Sequence, residues 1–244
     1  MIKNIRLLIA YDGSSFEGWQ YQQNSRTIQG EIEKAIEKIT GRKSRIVCAG
    51  RTDAGVHAYG QVANFLTTSE IPGKAFKYHF DQYLPADIEI LDSQEEDLDF
   101  HARFSAKAKR YRYILYNDKN MHPCLRKYRA RYSTKLNVDD MREASKLFLG
   151  KHDFKAFMKY GKNENTVRNI DKIEISKIQN EIYFEFEAES FLHNQIRIMV
   201  GALVNIGRGH WSKDDLKKVI DDADRQKSSM TFPASGLYLM NIKY

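Results

Sequence analysis

Lys109-Arg110-Tyr111-Arg112-Tyr113-Ile114-Leu115-Tyr116-Asn117 alternates as a β-strand, and with it a pattern that the chain has already run through once begins again. In the first run Ile5, Leu7 and Ile9 alternate with Arg6, Leu8 and Ala10, the signature of a strand. Ile28, Ile32, Ile36 and Ile39 follow at helical spacing, with Thr27 placed to cap the start and Gly41 just past the end. Strands are predicted near Ser44 to Ala49 and Gln61 to Thr67. A helix is predicted from Pro72, a residue suited to a first helical position, with Phe76, Phe80 and Tyr83 on one face. Ile88 to Leu91 closes the run as a strand. After Lys109–Asn117, the second run has a helix capped by Asn137, bearing Met141, Ala144 and Phe148 and stopped by Gly150. Ile170–Ile178 and Ile182–Ala188 read as a hairpin across Gln179-Asn180. Ile196, Val200, Leu203 and Ile206 mark a second helix, Ser212 caps a further one over Lys213–Asp222, and Gly236 to Lys243 is a last strand.

The repeated order is strand, helix, strand, strand, helix, strand. It predicts an α+β fold of two tandem ferredoxin-like (β-α-β-β-α-β) halves with mostly antiparallel sheets. We expect residues 1–99 to form the first half and residues 100–244 the second, joined at the acidic stretch Asp92 to Asp99. A duplicated frame of this kind is expected to hold its ligand in a central cleft where the halves meet.

Composition narrows the class. The 244 residues are 42% hydrophobic and 29% charged, which fits a folded globular protein and not a disordered one. The longest apolar run, around Ile196 to Ile206, is broken by Arg197 and Asn205 and is too short to span a bilayer. The start runs directly into a strand pattern with no signal-peptide character. Cys48 and Cys124 are the two cysteines, too few for a disulfide framework or a Cys-rich zinc site. These features lead us to expect a cytoplasmic protein with no membrane partner. Neither a His-Glu-x-x-His zinc motif nor a phosphate-cradling Gly-x-x-x-x-Gly-Lys loop is present.

The net charge of +7 is unevenly spread. Arg103 to Arg131 holds ten Lys or Arg residues against the single acid Asp118, so this segment carries +9 and the remainder is slightly acidic. Phe104, Tyr111, Tyr113, Tyr116, Tyr128 and Tyr132 are interleaved with the charges. Concentrated positive charge is the footprint of a polyanion, and aromatic rings among the charges suit an RNA with unstacked bases. A solvated basic face is the plainer reading of the same run.

Three residues stand out chemically. Asp53 lies in Gly50-Arg51-Thr52-Asp53-Ala54-Gly55-Val56-His57, directly after the apolar run 45–49. A loop at a strand end is a common mount for a reactive group, although Asp and Gly are also ordinary turn formers. No second acid or histidine cluster sits at ligand spacing, which disfavours a metal and leaves Asp53 as a nucleophile, a general base or a turn residue. Arg197 interrupts the apolar helix Ile196 to Val204, where a guanidinium either snorkels to water or pairs with a buried carboxylate. Pairing with Asp53 would keep that carboxylate ionised. Tyr111 and Tyr113 share one face of their strand, opposite Arg110 and Arg112. One face can stack on bases while the other reaches phosphate, or the tyrosines are core.

Taken together and in order, these pieces resemble the tRNA pseudouridine synthase A family over nearly the whole chain. The resemblance rests on Tyr11-Asp12-Gly13-Ser14-Ser15-Phe16-Glu17-Gly18-Trp19-Gln20, on the Gly50 to Ala58 block, and on Phe100-His101-Ala102-Arg103-Phe104-Ser105-Ala106-Lys107. It continues through Arg110-Tyr111-Arg112-Tyr113, His152-Asp153-Phe154 with Phe157, Phe191-Leu192 with Arg197 and Val200-Gly201, and Pro233-Ala234-Ser235-Gly236-Leu237. It implies two ferredoxin-like halves, a homodimer, and conversion of uridine to pseudouridine at positions 38–40 in the anticodon stem-loop of tRNA, without a metal or organic cofactor. It further implies that Asp53 is the catalytic aspartate, Tyr111 the tyrosine stacking on the target base and Arg197 the arginine paired with the aspartate. Arg51 corresponds to an arginine associated with base flipping and Leu237 to an apolar wall of the pocket. Phe100, His101, Ala102, Arg103 and Phe104 correspond to substrate contacts. Gln195-Ile196 stand where the family more often has Met-Val, and Ser14 where Thr is common. The stretch 159–167 is poor in basic residues for a tRNA-contacting loop, so no contact is assigned there. Two other classes share parts of the pattern: a noncatalytic RNA-binding protein on this frame, and a hydrolase with an aspartate nucleophile, which has no phosphate loop or second acid behind it.

Overall fold

Ile5, Leu7 and Ile9 are buried on one face of the first strand, β1 (Lys3–Tyr11), as their alternation predicts. The computed structural model describes residues 1–159 and 165–244. Among these it has ten strands in mostly antiparallel pairings and five α-helices, a mixed α/β protein. By compactness the chain divides into two units, Met1–Lys107 with Tyr238–Tyr244, and Ala108–Leu237.

In the first unit, helix α1 (Ile28–Thr40) begins where Thr27 accepts the Gly30 N–H and ends at Gly41, whose left-handed backbone (φ 71°) returns its N–H to Glu37 O. It is followed by β2 (Val47–Cys48), β3 (His57–Thr67), α2 (Phe76–Phe80) and β4 (Ile88–Glu96). β1 runs antiparallel to both β3 and β4, so that Leu7 faces Ala63 on one side and Ser93 on the other. β2 adds antiparallel to β3.

Three expectations change. The strand read over 44–49 shrinks to two residues, because Ser44 Oγ turns to Leu66 O and the Ile46 N–H goes to the Glu33 carboxylate instead of a ladder. The helix from Pro72 is a 3₁₀ turn followed by one α turn. Phe76 and Phe80 are buried, but the chain curls at Phe80, whose carbonyl takes the N–H groups of Tyr83 and Leu84 ahead of Pro85. Tyr83 is thereby left exposed. Residues 92–96 of the expected acidic junction belong to β4, where Ser93 is buried, and the division between units falls after Lys107.

The second unit opens with β5 (Ala108–Tyr116) and continues through β6 (Ala130–Arg131), α3 (Val138–Ser145), β7 (Gly150–Asp153), β8 (Val167–Ile178), β9 (Glu181–Ala188), α4 (Gln195–Gly207) and α5 (Lys213–Asp222). β5, β9, β8 and β7 pair antiparallel in that order, and β6 lies parallel to β5. The hairpin turns at Gln179 (φ 53°), as expected. α3 has the predicted Asn137 cap and α5 the predicted Ser212 cap, here completed into a capping box with Asp215. α4 is buried nearly all round. The last strand, β10 (Leu237–Lys243), follows the second run in sequence but pairs in parallel with β3, Tyr238 opposite His57 and Leu239 opposite Ala58.

Candidate active site

Asp53 is half-buried on the loop between β2 and β3. Its backbone is held by groups of the first unit. The Trp19 N–H donates to Thr52 O at 3.0 Å, the Val56 N–H donates back to Asp53 O at 3.1 Å, and Gly55 turns the chain at φ 76°. The segment 11–20 is the brace. Gly13 lies so close to the loop that an added Cβ would sit 2.0 Å from Val56 O, and a Cβ on Gly18 would sit 2.8 Å from Thr52 O. Beneath the loop, Tyr11 OH and Thr52 Oγ1 are 2.8 Å apart, and Gln61 Nε2 donates to Gly50 O at 2.7 Å. Burial pushes the Tyr11 phenol well above its ordinary value, against hydrogen bonds with Thr52 and Gln61 that lower it.

After the loop, buried His57 receives the Gly13 N–H on Nδ1, lies 3.2 Å from Asp12 Oδ1 and stacks on Tyr238 at 4.7 Å. Arg51 is exposed. The half-buried Cys48 before the loop has its thiol pushed up to about 12 by burial, against the nearby charges of Arg51 and Arg103. Ala49, at the loop's entry, packs with Val62 and Ala102 in a buried cluster, so the Ala102–Phe104 turn grows out beside the Asp53 loop. Among the described residues, no three His, Cys, Asp or Glu side chains gather to hold a metal ion.

The other residues singled out in the sequence belong to the second unit. Tyr111 is 8% exposed and meets Phe191 edge to face at 5.3 Å. Its strand neighbour Tyr113 is core: its hydroxyl donates to Pro233 O at 2.8 Å, and burial raises its phenol far above the ordinary range, opposed by the Arg197 charge. Arg197 is half-buried. Its Nε–H donates to Phe232 O at 2.6 Å and its Nη1–H to Asn194 Oδ1 at 2.7 Å. Asn194, in the left-handed region at φ 63°, turns its side chain to Arg197 instead of capping α4. Leu237 is buried, and Gly236 before it admits no Cβ because Ile114 O would be 2.7 Å away.

A model of the tRNA pseudouridine synthase family matches residues 7–105 and 144–244, which takes in the Asp53 loop, Arg197 and Leu237 and leaves out Tyr111 and Tyr113. The chain belongs to that family. Proteins named tRNA pseudouridine synthase A are similar to it along their full length: one from Acetivibrio thermocellus is 44% identical and one from Finegoldia magna 45% identical, each with the whole of both chains aligned. A solved structure of an archaeal box H/ACA sRNP Nop10-Cbf5 complex aligns over 95% of this chain and 59% of its own, at 11% identity and a TM-score of 0.38, a likeness too weak to bear on the fold. Family membership makes the chain an isomerase.

The basic segment is less uniform than its charge suggests. Arg110 and Arg112, on the face opposite Tyr111, are not free charges. Both pair with Glu185 across the strand, and Arg129 pairs with Glu181 at 2.8 Å. Glu181 and Glu185 come from β9, so the sequence-local excess of charge is partly neutralised once the tRNA pseudouridine synthase fold brings that strand alongside. Arg103 and Phe104 are exposed, Phe104 at 77%, with His101 stacked on the Phe104 ring at 4.3 Å and the Arg103 guanidinium 5.6 Å from its centroid. His101 Nδ1 also accepts the Arg103 and Phe104 N–H groups and so shapes the turn. Ala102 is fully buried and Phe100 packs on Tyr244, which makes them supports for that turn. Of the stretch 159–167, residues 160–164 lie outside the described residues. Sequence reading passed over Thr52, Tyr11 and Gln61, which hold the loop. The only signal for them was the cluster of glycines and aromatics at 11–20.

Proposed function

We propose that this chain converts uridine to pseudouridine in the anticodon stem-loop of tRNA, at positions 38–40, with Asp53 as the catalytic carboxylate. The observation that carries the proposal is the Asp53 loop: a half-buried carboxylate on a backbone pinned from both sides, in a chain of the tRNA pseudouridine synthase family. Immobilising a loop is worthwhile where one side chain must meet a reacting atom within a fraction of an ångström.

In this reading tRNA docks on the basic surface, with Arg103 and Phe104 as exposed contacts on a turn supported by Phe100, His101 and Ala102. The target uridine leaves its stack, at a cost of a few kcal/mol. Arg51 occupies the vacated space, Tyr111 stacks on the extruded base and Leu237 walls the pocket. Asp53 drives cleavage of the bond between N1 and C1′. The detached uracil turns, C5 bonds to C1′, the C5 proton passes to a base, and N1, freed of the sugar, takes up a proton in its place. Atoms and electrons balance without an oxidant or an energy source. We assign Arg197 to the catalytic set alongside Asp53.

The proposal extends to two ferredoxin-like frames, the first carrying the catalytic loop and the second most of the basic segment. The order β4-β1-β3-β2 in the first unit supports it. It includes a homodimer working in the cytoplasm. No helix among the described residues is long and apolar enough to cross a membrane.

The test is tritium release from tRNA labelled at uridine C5. Release by the wild type and none by Asp53→Ala is expected, while equal release by both overturns the assignment of Asp53. Tight tRNA binding with no release by either would favour a noncatalytic RNA-binding protein.

A further inference from the structure

Beneath the Asp53 loop lies a line of buried polar side chains that packing alone does not require. Gln61, Tyr11 and Thr52 are all buried, in the strands and loop of the first unit. Gln61 Nε2 donates to Gly50 O at 2.7 Å and reaches Tyr11 OH at 3.4 Å, while its Oε1 accepts the Val62 N–H at 3.2 Å. That acceptor fixes which end of the amide faces the loop. The Tyr11 hydroxyl is also hydrogen-bonded to Thr52 Oγ1, 2.8 Å away, and either hydroxyl can be the donor. The raised phenol keeps Tyr11 protonated at neutral pH. The line therefore grips the loop at Gly50 and at Thr52, the residues on either side of Arg51, and Thr52 directly precedes Asp53.

We propose that Tyr11 and Gln61 are positioning residues for the isomerisation, acting through Thr52 and Gly50 to hold Asp53 and Arg51 in register for the flipped nucleotide. The proposal rests on Asp53 being the catalytic carboxylate. The gripping groups are buried under the loop, so their loss is expected to displace the carboxylate without removing a surface contact. The effect falls on kcat and spares KM.

The experiment compares Tyr11→Phe, Thr52→Val, their double variant, Thr52→Ser and Asp53→Ala by tritium release from C5-labelled tRNA, alongside tRNA binding and thermal melting. Tyr11→Phe removes one oxygen and keeps the ring, and Thr52→Val keeps the volume of the side chain. We expect each to lower kcat by roughly tenfold to a hundredfold, with KM and tRNA affinity within about twofold of wild type. The double variant is expected to be no slower than the slower single one, because both remove the same bond. Thr52→Ser, which keeps a hydroxyl, is expected to recover most of the rate. If either folded single variant turns over at the wild-type rate while Asp53→Ala is inert, the positioning role is overturned and the Asp53 assignment stands. Losses confined to KM, or a Thr52→Ser variant as slow as Thr52→Val, overturn it equally. An active Asp53→Ala overturns the catalytic reading, and this proposal with it.

Discussion

Arg197 donates its Nε–H to the carbonyl of Phe232 at 2.6 Å, which ties α4 to the segment that leads into β10. A second N–H is committed to Asn194, so the guanidinium is held in a fixed plane. Arg197→Met keeps the aliphatic bulk and loses both bonds. We expect turnover to fall at least about tenfold with tRNA affinity nearly intact, and stability to fall by about 1–3 kcal/mol as Phe232 O loses its donor. Single-turnover tritium release with urea unfolding checks both parts. An unchanged rate would remove Arg197 from the catalytic set.

Gly13 tests the brace. A methyl group there would meet backbone atoms of Val56 at 2.0 and 2.6 Å, and neither can move without shifting the Asp53 loop. Gly13→Ala is expected to cost about 1–3 kcal/mol in urea unfolding and to slow turnover. Gly41→Ala is the control: its added methyl has nothing within 4 Å, so it costs only roughly 1–2 kcal/mol for the left-handed backbone and leaves turnover alone.

Electrostatic docking predicts that the logarithm of tRNA affinity falls linearly with the logarithm of salt concentration. Arg103→Ala should weaken binding and reduce that slope by about 1. Arg112→Ala should change the slope less, because Arg112 is already paired with Glu185. A flat salt dependence in the wild type would contradict docking on the basic surface.

The Cys48 thiol supplies a pH dependence. Its value rises from an ordinary 9.0 to about 12, so the native state holds the proton more tightly than the unfolded chain. The stability this contributes is complete below about 9 and is lost as pH climbs towards 12. The urea midpoint should fall across that window, and fall less in Cys48→Ala. At pH 8 a thiol reagent should modify exposed Cys124 and spare Cys48.

Helix ends were legible in the sequence because their signals are local: Thr27, Asn137 and Ser212 cap what they were read to cap, and Gly41 ends α1. β6 and β7 were not, since two- and four-residue strands exist only by virtue of the neighbour they pair with. The same distinction divides the candidate site. Asp53 stands out in sequence as an acid on a glycine loop after a strand. Its brace does not, because Tyr11, Trp19 and Gln61 come from other parts of the chain and meet the loop only after β1 and β3 have paired. Arg110 and Arg112 look free to bind phosphate for a similar reason: Glu185 is distant in sequence and becomes their neighbour only across the β5–β9 ladder.

The return of β10 to β3 sets an order of assembly during synthesis. Residues 238–244 leave the ribosome after the whole second unit, yet they supply the ring on which His57 stacks, the carbonyl that takes the Lys107 N–H, and the Tyr244 hydroxyl bonded to Ala102. A nascent chain therefore leaves His57, Lys107 and Ala102 without these partners until residues 238–244 emerge, and a chain cut short before Tyr238 has every residue of the Asp53 loop but not the strand that pairs with His57 and Ala58 just beyond it.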